Sequence, residues 1–204
     1  MTYHQDTPLC EALFAVTDTE TAVTSDGLRL VEIASVKVLP GFRIDFPNAF
    51  QTLVNPGFPI DRFSMSLHGI TDSMTENAPH EDEAVNQLAE FIEGAIFVAH
   101  NLSFDHGLIS SAMKRHKIIS PVSYLFDTLK LSRRLYPYLP NHKLDTLIQV
   151  FSLASPRDVR HRALYDADVT ALLFVKMLGE LSERGVKTLG DLCSMLQGLK
   201  DERK

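Results

Sequence analysis

Tryptophan is absent and cysteine nearly so, with Cys10 and Cys193 near opposite ends of the 204-residue chain. Two thiols so placed form no CxxC or Cys/His pair, which excludes a disulfide framework and a zinc finger and suits a reducing compartment. Long apolar runs are also lacking. Stretches such as Ala95–Ala99 and Ala171–Val175 fall far short of the roughly 18 residues that span a bilayer. The opening MTYHQDTPLCE has neither a basic start nor an apolar export segment. The expectation is a cytoplasmic protein with no membrane role. Internal repeats, low-complexity tracts and Pro/Gly/Ser-rich linkers are missing as well, so nothing divides the chain.

What is present fits one globular domain: 45% hydrophobic and 23% charged residues, close to ordinary soluble proteins. A single domain over 1–204 is expected, with a core from about 12 to 182 and a helical extension over about 187–200. The net charge of −6 argues against a protein that coats nucleic acid, but the charge is unevenly spread. Between Met113 and Arg162 ten Lys and Arg stand against three Asp, so this window is +7 and the rest is −13. Such segregation suits a local anionic ligand such as a phosphate backbone, or a pair of solvated helix faces.

Three early apolar stretches read as strands: Leu13–Thr17, Leu30–Val38 with its β-branched residues, and Phe50–Val54, which stops at the turn signal Asn55-Pro56-Gly57. Without helices between them they should form an antiparallel meander. From Glu81 the period becomes helical, with Ala84, Leu88, Phe91 and Ile92 on one side and Gly94 as a stop. Ile96–Ala99 follows as a strand, then a helix with Phe104, Leu108 and Ala112 on one stripe, then a short strand at Tyr124–Phe126. Leu144, Leu147, Ile148 and Phe151 mark one amphipathic helix, and Ala167, Ala171, Phe174, Leu178 and Leu181 a longer one. Thr188-x-x-Asp191 can cap a last helix with the stripe Leu189, Leu192, Leu196 and Leu199. A meander followed by alternating strand and helix implies an α/β fold, a mixed sheet flanked by helices.

Three segments carry the chemistry. In Thr17-Asp18-Thr19-Glu20 the two acids are spaced to share one face of a strand, and two ionised carboxylates side by side call for a cation. His100-Asn101-Leu102-Ser103-Phe104-Asp105 follows a buried strand and places Asp105 in the first turn of a helix, with His100 and Asn101 tying down the loop. His161-Arg162-Ala163-Leu164-Tyr165-Asp166 opens the long C-terminal helix. Each alone is compatible with a solvated or helix-capping acid. Together they put a histidine five residues before the last of four ordered acids.

In this order the residues resemble the DEDDh group of 3′→5′ exonucleases, a family that includes replicase proofreading subunits. Asp18 and Glu20 match its first motif, Asp105 its second, and His161 and Asp166 its third, over roughly Leu13–Leu181. Val31-Glu32-Ile33-Ala34-Ser35-Val36, Lys130-Leu131-x-Arg133-Arg134-Leu135 and the third motif are similar to the exonuclease X branch. A DEDDy enzyme would carry tyrosine where Arg162 stands. One departure is Thr21-Ala22-Val23, where the family usually has Thr-(Thr/Cys)-Gly, followed by a short insertion around Thr24–Gly27.

The resemblance implies an RNase H-like mixed five-stranded sheet and metal-dependent removal of 5′-mononucleotides from a 3′ end, with single-stranded DNA the expected substrate. It implies two divalent ions, Mg²⁺ or Mn²⁺, with Asp18 bridging, Glu20 and Asp166 on the first and Asp105 on the second. Four carboxylates match that charge, and oxygen donors suit hard cations. His161 would deprotonate the attacking water, the ordinary imidazole pKa of about 6.5 suiting that task. Thr19, Thr21, His68, Asn101 and Phe104 are the expected substrate contacts. His68-Gly69-Ile70-Thr71 reads equally as a loop of DNA-degrading relatives or as a helix-to-loop cap. The short charged stretch after Leu199 is not expected to dock on a polymerase, which leaves a monomer or homodimer. The alternatives are an exoribonuclease of the same fold and a non-catalytic polymerase-accessory or nucleic-acid-binding module.

Overall fold

The computed structural model describes residues 3–25, 27–157 and 161–197. The meander is built from β1 (Phe14–Thr24), β2 (Gly27–Leu39), a two-residue β3 (Arg43–Ile44) and β4 (Phe50–Leu53). Two short helices, α1 (Arg62–His68) and α2 (Asp72–Thr75), precede α3 (Glu81–Phe91). There follow β5 (Ile96–Ala99), α4 (Leu102–Arg115), β6 (Leu125–Asp127), α5 (Thr128–Leu135), α6 (Leu144–Phe151), α7 (Ala163–Glu183) and α8 (Leu189–Gln197).

The sheet runs β3-β2-β1-β5-β6, with β4 also on the outer edge of β2. β1, β2, β3 and β4 pair antiparallel, whereas β5 is parallel to both β1 and β6. The mixed architecture is the one expected, but the described sheet has six strands rather than five, Arg43–Ile44 being the addition. Two residues are too few to show an alternating pattern.

Strand β1 also departs from expectation: it continues to Thr24 instead of ending near Thr17. The alternating Thr-x-Thr-x-Thr-Ala-Val-Thr pattern keeps β-branched residues in register with β2 up to the Thr24–Gly27 pair. Asp18 and Glu20 thus stand in mid-strand on a paired backbone. A register shift falls right after Glu20, where Glu20 pairs with Glu32 but Thr21 with Leu30. Bulges of this kind twist a strand and re-aim the side chains beside them.

Alternate residues of the central strands serve different layers. Phe14 and Val16, with Ala34, Val36 and Val38, pack toward α5–α8 and meet Leu131, Leu147, Phe174 and Leu189. The Phe14 and Phe174 rings touch edge to face at 5.0 Å; truncating either to alanine should cost about 3–5 kcal/mol. Ala15, Ile33 and Phe97 pack the other way, onto Leu88 of α3 and Ile109, Ala112 and Met113 of α4. All five stripe residues proposed for α7 are fully buried.

The stripe of α4 is rotated from the one expected. Ile109, Ala112 and Met113 are buried while Phe104 is 40% exposed. The helix turns to bring Asp105, only 3% exposed, toward the sheet. On α8 Leu189 and Leu192 are buried, and the proposed cap forms reciprocally: Thr188 Oγ1 accepts from Asp191 N at 3.2 Å and Asp191 accepts from Thr188 N at 2.9 Å. Leu199 lies outside the described residues. The N-terminal segment is stitched to the start of α8: Leu189 N donates to Thr7 O at 3.0 Å and Gly190 N to Gln5 O at 2.7 Å. A Cβ on Gly190 would lie 2.9 Å from that Gln5 oxygen. Both cysteines are free, and no described helix is long and apolar enough to cross a membrane.

Candidate active site

Asp18 and Glu20 continue the Phe14/Val16 series and so face α7. There they meet Asp166, which the first turn of that helix presents to the same spot. A carboxylate oxygen from each of the three lies within 4.8 Å of the others. Asp105 arrives from the opposite layer: Thr19, between the two β1 acids and pointing away from them, donates from Oγ1 to Asp105 Oδ1 at 2.7 Å. One Asp-Thr-Glu triplet therefore serves both faces of the sheet.

Burial and neighbouring carboxylates dominate the electrostatics of the acids, with Arg162 drawing Glu20 the other way. Burial, then the charges of Asp105, Asp166 and Glu20, hold the Asp18 carboxyl well above the usual carboxylate range. Burial and the neighbouring Asp166 push Glu20 up to about 8. Asp105 is raised to about 7, chiefly by burial, with the Thr19 hydrogen bond pulling the other way. Carboxyls so perturbed are the ordinary signature of a functional cleft. All-oxygen donors at this spacing fit a hard divalent cation, which would restore their ionised forms.

His161 is exposed, adopts a left-handed backbone (φ 55°) and directly precedes α7. Asn101 is likewise left-handed (φ 69°) and exposed at the start of α4, with its N–H on Asp127 Oδ1 at 3.1 Å. His100 ties down the loop as expected: Nε2 donates to His142 O and Nδ1 lies on Thr128 Oγ1, both at 2.9 Å. The sequence-predicted contact residues divide into two groups. Asn101 and Phe104 are exposed, whereas Thr19 and His68 are buried, and Thr21 is half-buried between the two groups. His68 spends both nitrogens within the protein, Nδ1 accepting from Ile70 N at 3.0 Å and Nε2 meeting Thr21 O at 3.2 Å. The cap reading of His68-Gly69 is realised, since Gly69 closes α1 in the left-handed region (φ 72°).

Glu32 escaped the sequence reading as a site residue. It faces the acid cluster from β2, paired with Glu20, and is 0% exposed. Around Asn101 an open cleft of about 720 Å³ is lined by His100, Leu129, Arg133, His142 and Lys143 among others, all three cations or imidazoles of residues 133–143 falling in the basic window.

Three acids converging on a mixed RNase H-like sheet, with a fourth tied to the same strand through Thr19, fit the class of metal-dependent nucleases. Residues 15–174 match the exonuclease family RNase_T, and the chain belongs to that family; the motif set makes it a DEDDh-type 3′→5′ exonuclease domain. It is 40% identical over 187 residues to a DNA polymerase III PolC-type of Caldanaerobacter subterraneus subsp. tengcongensis, covering 91% of this chain and 13% of that protein. It is 36% identical over 190 residues to a DNA polymerase III subunit epsilon-like protein of Rhodobacter capsulatus, covering 91% and 26%. The chain thus spans a minor part of those relatives. Among solved structures, exonuclease X in complex with 5′ overhanging duplex DNA superposes with a TM-score of 0.67 at 29% identity, over 90% of this chain and 99% of that one.

Proposed function

We propose that this domain shortens DNA from its 3′ end and releases 5′-mononucleotides, using two divalent ions, Mg²⁺ or Mn²⁺. The observation that carries the reading is the meeting of Asp18, Glu20 and Asp166 oxygens within 4.8 Å of one another. Asp18, Glu20 and Asp166 would hold one ion, and Asp105, tied to β1 by Thr19, would hold the second together with Asp18. Bound there, the ions supply charge relief on the phosphate and ease deprotonation of water.

The chain's own residues do the rest. His161 accepts the proton of the attacking water on a ring nitrogen, a role worth about 10²–10⁴-fold in rate. Its exposure, on the segment that leads into the helix carrying Asp166, supports this reading. The Phe104 ring, 40% exposed on the first turn of α4, stacks on a terminal base, and Asn101 and Thr21 contact the adjoining nucleotide. Thr19 and His68 act from behind, orienting Asp105 and the Thr21 backbone. Arg133, His142 and Lys143 in the cleft beside Asn101 hold the incoming backbone. DNA as substrate is supported by the polymerase names of the relatives and by the DNA bound in the exonuclease X structure, and a single-stranded end best suits an open cleft.

The test compares 5′-labelled single-stranded DNA, duplex DNA and RNA of one sequence, with Mg²⁺, Mn²⁺ or chelator, on the isolated chain. A ladder shrinking from the 3′ end, mononucleotide 5′-phosphate product and no activity in chelator are expected. Preferential loss of the RNA would reassign the substrate, and inertness toward all three ends would reduce the domain to a binding module.

A further inference from the structure

The third motif is held by a carboxylate outside the acid cluster. Glu32 accepts four hydrogen bonds: from Arg162 Nη2 at 2.5 Å and Gln51 Nε2 at 2.7 Å on Oε1, and from Arg162 Nε at 2.9 Å and Ala163 N at 3.0 Å on Oε2. Its lone pairs are thereby used, so although it faces Glu20 it has none left for an ion. The donors come from β4, from the residue after His161 and from the first residue of α7. Arg162, the N-cap of α7, makes no side-chain cap of its own. Glu32 caps the helix from across the sheet and satisfies an amide that would otherwise be an orphan.

A second arginine, Arg157, is anchored to the same helix. Arg157 pairs with Asp168, a fully buried residue of α7, and its Nη2 donates to Phe46 O at 3.0 Å. His161 stands in a left-handed backbone conformation directly before Arg162, which is locked to the buried carboxylate of Glu32. Such a conformation persists in a non-glycine residue where its surroundings impose it. A fork of two parallel bonds fixes a guanidinium in angle as well as distance.

We infer that Glu32 and Arg162 are a positioning pair for His161: the fork sets the residue that joins the histidine to the helix carrying Asp166, and so the imidazole's place relative to the acid cluster. The inference rests on His161 acting as the base, and it goes beyond that reading by assigning a task to two residues that touch neither ion nor substrate. The pair serves kcat, since the acids that hold the ions come from β1, α4 and α7 themselves.

The experiment is a double-mutant cycle on the full chain, with Glu32→Gln and Arg162→Lys made singly in wild-type and His161→Ala backgrounds. Both break the fork while leaving a hydrogen-bonding side chain of similar size. Steady-state hydrolysis of a 3′-labelled oligonucleotide gives kcat and KM, and calorimetric titration gives the Mn²⁺ affinity. Each single variant is expected to lose about 10- to 100-fold in kcat, the order that a misplaced catalytic group costs, with KM and Mn²⁺ affinity within about twofold. In the His161→Ala background the further loss should vanish, since the group being positioned is gone. An equal loss in both backgrounds, or a loss expressed in Mn²⁺ affinity, overturns the positioning role. Unchanged kcat in His161→Ala alone overturns instead the assignment of the base. Arg162→Lys, which retains the positive charge beside Glu32, keeps the test decisive if Glu32→Gln does not fold.

Discussion

Thr19 Oγ1 donates a 2.7 Å hydrogen bond to Asp105 Oδ1, joining the middle of the first motif to the acid of the second across 86 positions of sequence. The threonine is flanked by two cluster acids yet faces the other layer, so it is the link through which β1 registers α4. Thr19→Val keeps the shape and removes the donor. Metal affinity or activity should fall by about 10–100-fold, the usual effect of removing a partner that orients a metal-binding group. Calorimetric Mn²⁺ titration alongside nuclease assay checks this; affinity and rate both equal to wild type would show Asp105 held by packing alone.

Asp18 sits where the charges of Asp105, Asp166 and Glu20 converge. Asp18→Ala should remove hydrolysis, because no remaining acid can be shared between two ions. In chelator the same variant should melt higher than wild type, since one of the mutually repelling anions is gone. Retention of more than about a tenth of wild-type activity contradicts the shared-ligand assignment.

The acid cluster also sets a pH dependence. Glu20 at about 8 and Asp105 at about 7 lie above the values of about 4 that unfolded carboxyls have. Below about pH 6.5, His68, His100, His106 and His142, held below the usual imidazole range by burial, act in the opposite sense. Above it the two carboxyls dominate, the folded chain binds more protons than the unfolded one, and stability in chelator should fall as pH rises toward about 8. Divalent metal should reverse the trend by stabilising the ionised carboxylates. Melting scans at several pH values, with and without Mn²⁺, give the sign directly; chelator curves that rise toward pH 8 would contradict it.

Arg133 and Lys143 line the cleft beside Asn101, whereas the equally exposed Arg134 is not among its lining residues. Arg133→Glu with Lys143→Glu should weaken binding to a single-stranded oligonucleotide and flatten the salt slope by about one to two counterions. Arg134→Glu should do much less. Equal effects from all three would make the basic window a diffuse field rather than a track.

The site was legible where chemistry follows local order. Asp18 and Glu20 show their shared face by a spacing of two, and Asp166 its place by the histidine five residues ahead. Glu32 was not legible as more than one letter of an apolar strand, because its meaning depends on Arg162, 130 residues away. The stripe of α4 was misplaced by one position: hydrophobicity favours burying Phe104, while the cluster requires Asp105 inward, and an acid on a buried face breaks the pattern that reveals it. Helices α1 and α2, of seven and four residues, are too short to declare a period. The caps of α1, Asp61 accepting from Ser64 N at 3.0 Å and Gly69 in the left-handed region, carry the signal that periodicity could not.

Residues 5–9 lie against 187–190, joined by hydrogen bonds and by the antiparallel bridge of Pro8 and Thr188. A polypeptide that enters the fold along the first segment and leaves along the second returns almost to its point of entry. Between these two segments the described chain is closed into a loop by main-chain hydrogen bonds, so a displacement of one segment is carried directly to the other. Gly190 is the tightest point of this join, since a Cβ there would lie 2.9 Å from the Gln5 carbonyl oxygen and push the two segments apart.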